Sequence, residues 1–408
     1  MRVLLLTQYF YPERFVVNDL AVALKKLGHE VVVLTGQPSY PNRENFKDYE
    51  PPSKWQTVYE GVPVYRVPML SRGEGNFRRL SLNYGSFAAS AAVFGLPRLP
   101  RKFDVCLSWC ISPMTAALPA VLYRKIAHVP TAVWIQDLWP ETVLGVTGSE
   151  NAAFSSALSR LISLIYRNVD QLWIQSPAYR DSLLRHGALD KQIEYVPNWA
   201  SDLYDCSRWD DVEPDAIPSN ALVFAGNLGR AQGLHTMMEA ATLIKDSTPE
   251  ARWVFVGDGS LREWLADQIV ERGLQSRVQL LPRRPMEQMP NLLKAASGAL
   301  VSLTDTPAFR QTIPSKVQTI MASGVPIVGA LGGQAAKLVR EAQAGVVCEP
   351  ENAAALASTV SAFFAMSTED RTELGRNGHA YYKQHFTEES VLDRVDRLLH
   401  SLSSLSQT

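Results

Sequence analysis

Cysteine is scarce in this chain of 408 residues. Cys106, Cys110, Cys206 and Cys348 are the four, and no two form a Cys-x-x-Cys pair. That spacing suggests neither a structural zinc site nor a disulfide framework; it suits small buried hydrophobes in a reducing cytosol. Charge of one sign is lacking as well. Lys and Arg number 40 and Asp and Glu 41, a formal net charge of -1, whereas a nucleic-acid binder would normally carry a basic excess. Long hydrophobic runs are also missing. Val3 to Leu6 is too short for a signal peptide, and the longest uncharged segment, Leu80 to Pro97, contains serines, Asn83 and two glycines, so it is not expected to span a membrane.

Two motifs are absent where they would matter. Arg2 to Gln8 reads as a buried strand, Asn18 to Leu27 as a helix stopped by Gly28, and Glu30 to Thr35 as a second strand, a β-α-β opening. Its first loop, Gln8-Tyr9-Phe10-Tyr11-Pro12-Glu13-Arg14, has no Gly-x-Gly-x-x-Gly, which argues against an NAD-dependent dehydrogenase. Tyr9, Tyr11, Glu13 and Arg14 at that strand end suit a polar, ring-shaped ligand instead. No Asp-x-Asp ends a strand and no His/Cys cluster has ligand spacing, so no metal is expected.

What is present is ordinary globular composition, 46% hydrophobic and 20% charged, in a chain long enough for two domains. The most informative stretch is Ala221 to Ala241. An apolar run of strand length, Ala221 to Ala225, leads through a glycine-rich turn, Gly226 to Gly233, into an amphipathic helix with Leu234, Met237, Met238 and Ala241 on one face. Such a turn suits an anion, because glycine lets backbone N–H groups approach a phosphate and the helix N-terminus adds partial positive charge.

Around this stretch, strands and helices alternate. Asp104 to Trp109, Thr131 to Gln136, Gln171 to Gln175 and Ile193 onward read as strands in the first half, with Ser176-Pro177 as an N-cap and first-turn pair for Ala178 to His186. Thr131 to Gln136 delivers Asp137, Trp139 and Glu141 to a sheet edge, the first carboxylates placed like site residues. Residues 1–200 are read as one Rossmann-like domain, 201–220 as a linker rich in Asp, Pro and Ser, and 221–385 as a second such domain. In the second half, Arg252 to Val256 ends in Gly257-Asp258-Gly259 and Arg277 to Leu281 in Pro282-Arg283-Arg284. Ala299 to Leu303 leads through Pro314 to the helix Ser315 to Ala322; Val325 to Gly329 is a further strand, and helices run from there to the end. These strand ends read as a phosphate and nucleotide site on one rim of a parallel sheet. Arg72, Arg78 and Arg79 before Leu80 to Pro97, and Arg98, Arg101 and Lys102 after it, form the pattern of a helix lying on an anionic membrane; a core helix with solvated ends is the competing reading.

Together Gly226-Asn227-Leu228-Gly229-Arg230-Ala231-Gln232-Gly233, Val256-Gly257-Asp258-Gly259, Pro314-Ser315-Lys316 leading into Met321 to Pro326, and Val196-Pro197-Asn198 resemble the retaining glycosyltransferases of family 4. Within that family the chain is similar to the bacterial colanic-acid and O-antigen type, many of which share the Asp-Leu-Trp-Pro-Glu run at Asp137 to Glu141. The resemblance implies a GT-B fold, two Rossmann-like α/β domains with parallel sheets facing across a cleft, and a last segment, 386–408, that returns to the first domain. It implies a nucleotide-sugar donor, with a UDP-sugar the expected one, at Gly226, Asn227, Gly229, Arg230, Gln232, Gly257, Asp258, Gly259, Arg283, Pro314, Ser315, Lys316 and Thr319. It implies a saccharide or polyprenyl-linked saccharide acceptor at Tyr9, Tyr11, Glu13, Arg14 and Trp139, catalytic roles for Asp137 and Glu141, and no metal or other cofactor. The expected setting is cytoplasmic, peripheral at the inner face of the plasma membrane.

The chain departs from the family at four positions. Asn227 and Gln232 stand where many members have arginine and lysine, and Gln311 and Thr319 where they have two glutamates. Cationic help for a departing diphosphate is then expected from Arg230, Lys316 or Arg283. Two other classes fit the same fold: a nucleotide-sugar epimerase, which needs no acceptor, and a non-catalytic nucleotide-sugar or polysaccharide binder.

Overall fold

The computed structural model describes residues 1–40, 46, 48–49, 55–73, 77–100, 102–147, 151–209, 211–218 and 220–405. They form two compact units, Met1–Val196 with Leu392–Thr408, and Pro197–Val391. Arg101, one of the basic flanking residues above, lies outside the described residues.

The first unit is built on eight strands: β1 (Arg2–Thr7), β2 (Glu30–Gly36), β3 (Gln56–Tyr59), β4 (Val62–Val67), β5 (Val105–Cys110), β6 (Thr131–Ile135), β7 (Gln171–Ile174) and β8 (Ile193–Tyr195). Their order is β3-β4-β2-β1-β5-β6-β7-β8, parallel throughout except for the β3–β4 hairpin. The apolar runs in β1, β5 and β6 are fully buried, as strands covered on both faces must be. In register, Trp109 pairs with Trp134 and Trp134 with Trp173, so three indoles line up across β5, β6 and β7 with ring centroids 4.6 and 5.6 Å apart. Such edge-to-face pairs are worth about 0.5–1.5 kcal/mol each beyond their buried area, and they fix β5, whose end carries Ser112, and β6, whose end carries Asp137 and Trp139.

The helices of this unit are α1 (Val16–Lys26), α2 (Phe77–Ser90), α3 (Leu118–Ala127), α4 (Glu141–Thr147), α5 (Ala152–Tyr166) and α6 (Tyr179–Arg185). The uncharged segment expected as one helix is three pieces: α2 is followed by a π turn, Ala91–Gly95, and a 3-10 turn, Leu96–Arg98. Gly95 packs against Leu34 and Val67, where a Cβ would come within 2.8 Å of Leu34, so the absence of a side chain lets the π turn approach the sheet closely. The expected cap at Ser176-Pro177 is corrected. The helix starts at Tyr179, and Ala178 occupies the cap position without a side-chain acceptor.

The second unit has six parallel strands, β9 (Ala221–Ala225), β10 (Arg252–Val256), β11 (Val278–Leu281), β12 (Gly298–Ser302), β13 (Ile327–Ala330) and β14 (Gly345–Cys348), ordered β11-β10-β9-β12-β13-β14. Helices α7 (Leu234–Leu243), α8 (Arg262–Glu271), α9 (Met289–Ala295), α10 (Pro307–Gln311), α11 (Ser315–Ala322), α12 (Gly333–Glu341), α13 (Ala353–Ala365) and α14 (Thr368–His385) belong to it, and α15 (Glu388–Ser404) runs from it into the first unit. There His29 Nε2 lies 2.8 Å from Asp396 Oδ1, and Arg394 donates to Tyr195 O at 2.7 Å.

Strand β14 interrupts the helices expected after Gly329. It is four residues long and half-exposed at the sheet edge, too short for a periodic signal. Residues 201–220, expected as a linker, are part of the second unit. Trp209 is buried, and the carboxylate of buried Asp205 accepts from Ser207 N, Ser207 Oγ, Lys383 Nζ and the His379 ring at 2.7–3.0 Å. Burial opposes that charge, yet these donors hold Asp205 well below the usual carboxylate range. One tethered carboxylate outweighs a linker-like composition.

Candidate functional site

In each unit the chain works outward on one side of its first strand and then returns to the other side. The switch points lie between β1 and β5 and between β9 and β12. Loops at the carboxyl ends of strands diverge at a switch point and leave a crevice, the usual ligand position in open α/β sheets.

In the second unit the crevice belongs to the Gly226 turn. Gly226 N donates to Val256 O (2.9 Å), Leu228 N to Asp258 O (2.8 Å) and Leu261 N to Leu228 O (2.9 Å), so the β9 and β10 turns are laced together. Gly257 has φ +153°, and a Cβ there would lie 1.8 Å from Gly226 O. Only glycine lets these two backbones meet. Asp258 is exposed and accepts from Gly259 N at 2.8 Å, while Asn227 is exposed beside Gly229 and Gly259. Arg230 is exposed in the short turn Arg230–Gln232.

Lys316, in the first turn of α11, is brought to the same turn. Its Nζ donates to Gln232 Oε1 at 2.7 Å and sits 4.0 Å above the Phe224 ring, and a Cβ on Gly226 would come within 2.8 Å of its Cε. Ser315 is exposed at the start of that helix, after Pro314 in the cap position. Burial lowers the lysine pKa to about 8, because no described carboxylate pairs with it. Thus an ammonium, a helix N-terminus and two glycine turns converge, as anion binding requires.

The remaining expected donor residues are less engaged. Arg283 is exposed, whereas its neighbour Arg284 is ion-paired with Asp215. Thr319 is half-buried one turn after Ser315, and Gln311 Nε2 donates to Pro307 O at 3.1 Å. Sequence reasoning missed Phe224 and Arg262. Arg262 Nη1 donates to Gly257 O (2.7 Å) and Leu281 O (3.0 Å), tying two strand ends together from a position that carries no motif.

In the first unit the corresponding edge gathers aromatic rings. Tyr9, Phe15 and Tyr40 form a triangle with centroids 5.5–5.9 Å apart, Tyr11 stacks on Tyr59 at 4.5 Å, and Trp139 donates through Nε1 to Ser112 Oγ at 3.0 Å. Tyr84 of α2 lies 6.3 Å from the Trp139 ring, and Gln8 Nε2 donating to Asn83 Oδ1 (2.8 Å) holds that helix to the end of β1. Arg14 is exposed.

The carboxylates divide by environment. Glu13 is buried, and its oxygens accept from Ser39 N (2.7 Å), Tyr40 N (2.6 Å) and Phe10 N (3.3 Å); burial still pushes its pKa up to about 7. Its contacts organise the loop that carries Tyr40. Glu141 Oε1 accepts from Ser182 Oγ and lies 3.6 Å from Arg185 Nη2, which ties α4 to α6, and its Oε2 is buried without a hydrogen bond among the described residues. Asp137 differs from both: no described residue donates to it, and burial alone raises its pKa to about 7. An unpartnered, desolvated carboxylate at a sheet edge is poised to take a hydroxyl.

Comparison with known proteins gives the family and the fold. The "Glycosyl transferase 4-like domain" family matches residues 14–199 and "Glycosyl transferases group 1" matches residues 208–381. The chain belongs to these glycosyltransferases, and its fold is GT-B. It is 26% identical over 322 residues to WcaI of Escherichia coli strain K12, a protein assigned to colanic acid biosynthesis as a glycosyl transferase, covering 75% of this chain and 76% of that one. WbjE of Pseudomonas aeruginosa, assigned as a glycosyltransferase, is also 26% identical, over 320 residues, covering 75% and 77%. Among solved structures the fold matches HepE of Anabaena in complex with UDP (TM-score 0.69, 17% identity, 98% and 100% covered). It also matches sucrose-phosphate synthase of Thermosynechococcus elongatus (0.73, 18%, 99% of each).

Proposed function

We propose that this protein transfers a hexose from a nucleotide-sugar, with UDP-sugar the first candidate, to a saccharide acceptor in surface polysaccharide synthesis, with retention of configuration and without a metal. The observation that carries the reading is Lys316, held charged at low solvent exposure beside the Gly226 and Gly257 turns. Departure of a nucleoside diphosphate builds charge on phosphate oxygen, and backbone N–H groups, a helix N-terminus and an ammonium stabilise that charge where a metal otherwise would. Colanic acid assignment of WcaI and the UDP bound in HepE support the acceptor and donor classes. In the first unit Asp137 positions the acceptor hydroxyl and the half-buried Tyr84 ring offers a face for sugar; Trp139, expected from the sequence at the acceptor, is buried in the core at 6% exposure and offers none.

The test is transfer from UDP-hexoses to saccharide acceptors, followed by mass spectrometry with and without EDTA. Product formed undiminished in EDTA and with retained configuration is expected. Isomerised donor without any acceptor would favour an epimerase, and binding without turnover a carrier.

The acceptor is proposed to be lipid-linked, reached from the inner membrane face. The basis is the helix α2 with its following turns, which exposes Leu82, Val93 and Phe94 at 59, 62 and 47%, beside exposed Arg78, Arg79, Arg98 and Lys102. No helix among the described residues is long and apolar enough to cross a membrane. An apolar face with basic flanks supplies the two signals that stable interfacial binding needs. In flotation, the protein should rise with phosphatidylglycerol vesicles and stay behind with phosphatidylcholine ones; equal behaviour with both would count against it.

A further inference from the structure

Arg72 was read from the sequence as one of the basic residues flanking a surface helix. In the structure it turns toward the aromatic edge of the first unit. Its guanidinium lies 4.8 Å from the Tyr40 ring centroid, and Nη1 reaches Tyr9 Oη at 3.5 Å. No described residue makes an ion pair with it. Arg66, by contrast, is fully buried and spends its donors on Gly36 O and Tyr11 O.

Tyr84 lies on the same edge, its ring 6.3 Å from that of Trp139, two residues beyond Asp137; burial raises the pKa of its hydroxyl, Arg72 acts to lower it and Asp137 to raise it. Among the described residues, one edge thus presents a cation without an anion and an anion without a donor, with aromatic rings beside them. A planar guanidinium backed by tyrosines recognises phosphate or carboxylate oxygens bidentately. A carboxylate with no donor suits a hydroxyl.

We propose that Arg72 binds an acidic group on the acceptor while Asp137 takes the hydroxyl that is glycosylated. The proposal rests on the glycosyltransfer reading and adds the acceptor class: a saccharide carrying a phosphate or a carboxylate. Helix α2 favours the phosphate, because the same helix shows Tyr84 to this edge and Leu82 to solvent, so an acceptor sugar attached to a lipid by a diphosphate would bring its charge to Arg72. A uronic acid has the same anionic oxygens.

The experiment uses the full chain saturated with UDP, so that the second unit's phosphate site is filled. Calorimetry then compares three probes: farnesyl-diphosphate N-acetylglucosamine, methyl glucuronide, and neutral methyl glucoside. At least one anionic probe should bind ten-fold or more tightly than the neutral one, and Arg72→Gln should bring it down to the neutral level with UDP affinity unchanged. Preference for the farnesyl diphosphate probe assigns a lipid-linked phosphate, and preference for the glucuronide assigns a uronate; either supports the proposal. Wild type that binds UDP but favours neither anionic probe overturns it, as does Arg72→Gln with undiminished anionic preference. Arg72→Lys, which keeps the charge but not the fork, should retain part of the preference and separates recognition from loss of fold. Wild type that binds none of UDP, GDP and dTDP refutes the glycosyltransfer reading itself, and this proposal with it; if GDP or dTDP binds in place of UDP, that nucleotide fills the second unit's site in the same comparison.

Discussion

Lys316→Ala is expected to weaken UDP binding by about 10- to 100-fold, the effect of losing one charge-assisted hydrogen bond of about 1.5–3 kcal/mol. The size follows from the surroundings. Nζ has the neutral Gln232 oxygen and the Phe224 ring for company and no described carboxylate, so a diphosphate would be its first anionic partner. The pH dependence has a definite sign. Because the pKa of the free protein is lowered to about 8 from the ordinary 10.5, UDP affinity should fall as pH rises above about 8, and the Ala variant should lose that fall.

Stability should move the other way. Between pH 8 and 10.5 the unfolded chain binds more protons at this lysine than the folded one, so holding it charged at neutral pH opposes folding, and that penalty is relieved as pH rises. Lys316→Ala should therefore not lower Tm, as expected for a group kept for function rather than for the fold. Unchanged UDP affinity in calorimetry would remove Lys316 from the site.

The second large effect is expected at Asp137. Asp137→Asn should lower turnover by about 100-fold, the scale of a misplaced reacting group, with UDP affinity intact and any product still of retained configuration. Since its pKa is pushed up to about 7, wild-type turnover should rise as pH passes through about 7 and the carboxyl ionises, and the Asn variant should lose that rise. The raised pKa also means that the folded state holds its proton longer than the unfolded chain, so ionised Asp137 opposes folding above the ordinary carboxylate range. Asn should accordingly be neutral or stabilising near pH 8. A glycosyl-enzyme trapped on Asp137 would make it a nucleophile in two displacements, and a fully active Asn variant would leave it only a turn residue.

How much of this was legible beforehand depends on whether the cause is local. The Gly226 and Gly257 turns were readable because a backbone approach of that closeness demands glycine, and a strand-turn-helix pattern surrounds the first. Lys316 could be named from its place at the start of a helix, but not its perch on Phe224, which depends on the spacing of β9 and α11. Strand β14 escaped because four half-exposed residues carry no period. The linker reading of 201–220 failed on one long-range cluster, Asp205 with His379 and Lys383, separated by 174 and 178 positions. Arg72 and Tyr84 were invisible as site residues for the same reason: α2 must first be pinned by Gln8 and Asn83 before either reaches the edge that carries Asp137.

Hydrogen–deuterium exchange with and without saturating UDP tests the central claim most directly, that the nucleotide is held by the glycine turns and α11 of the second unit. Slower exchange of the amides in residues 226–233, 257–262 and 315–318 is predicted, because phosphate held by these laced turns and the N-terminus of α11 would suppress their opening. Protection confined to residues 8–14 and 137–141 of the first unit, with these turns unchanged, would contradict the account.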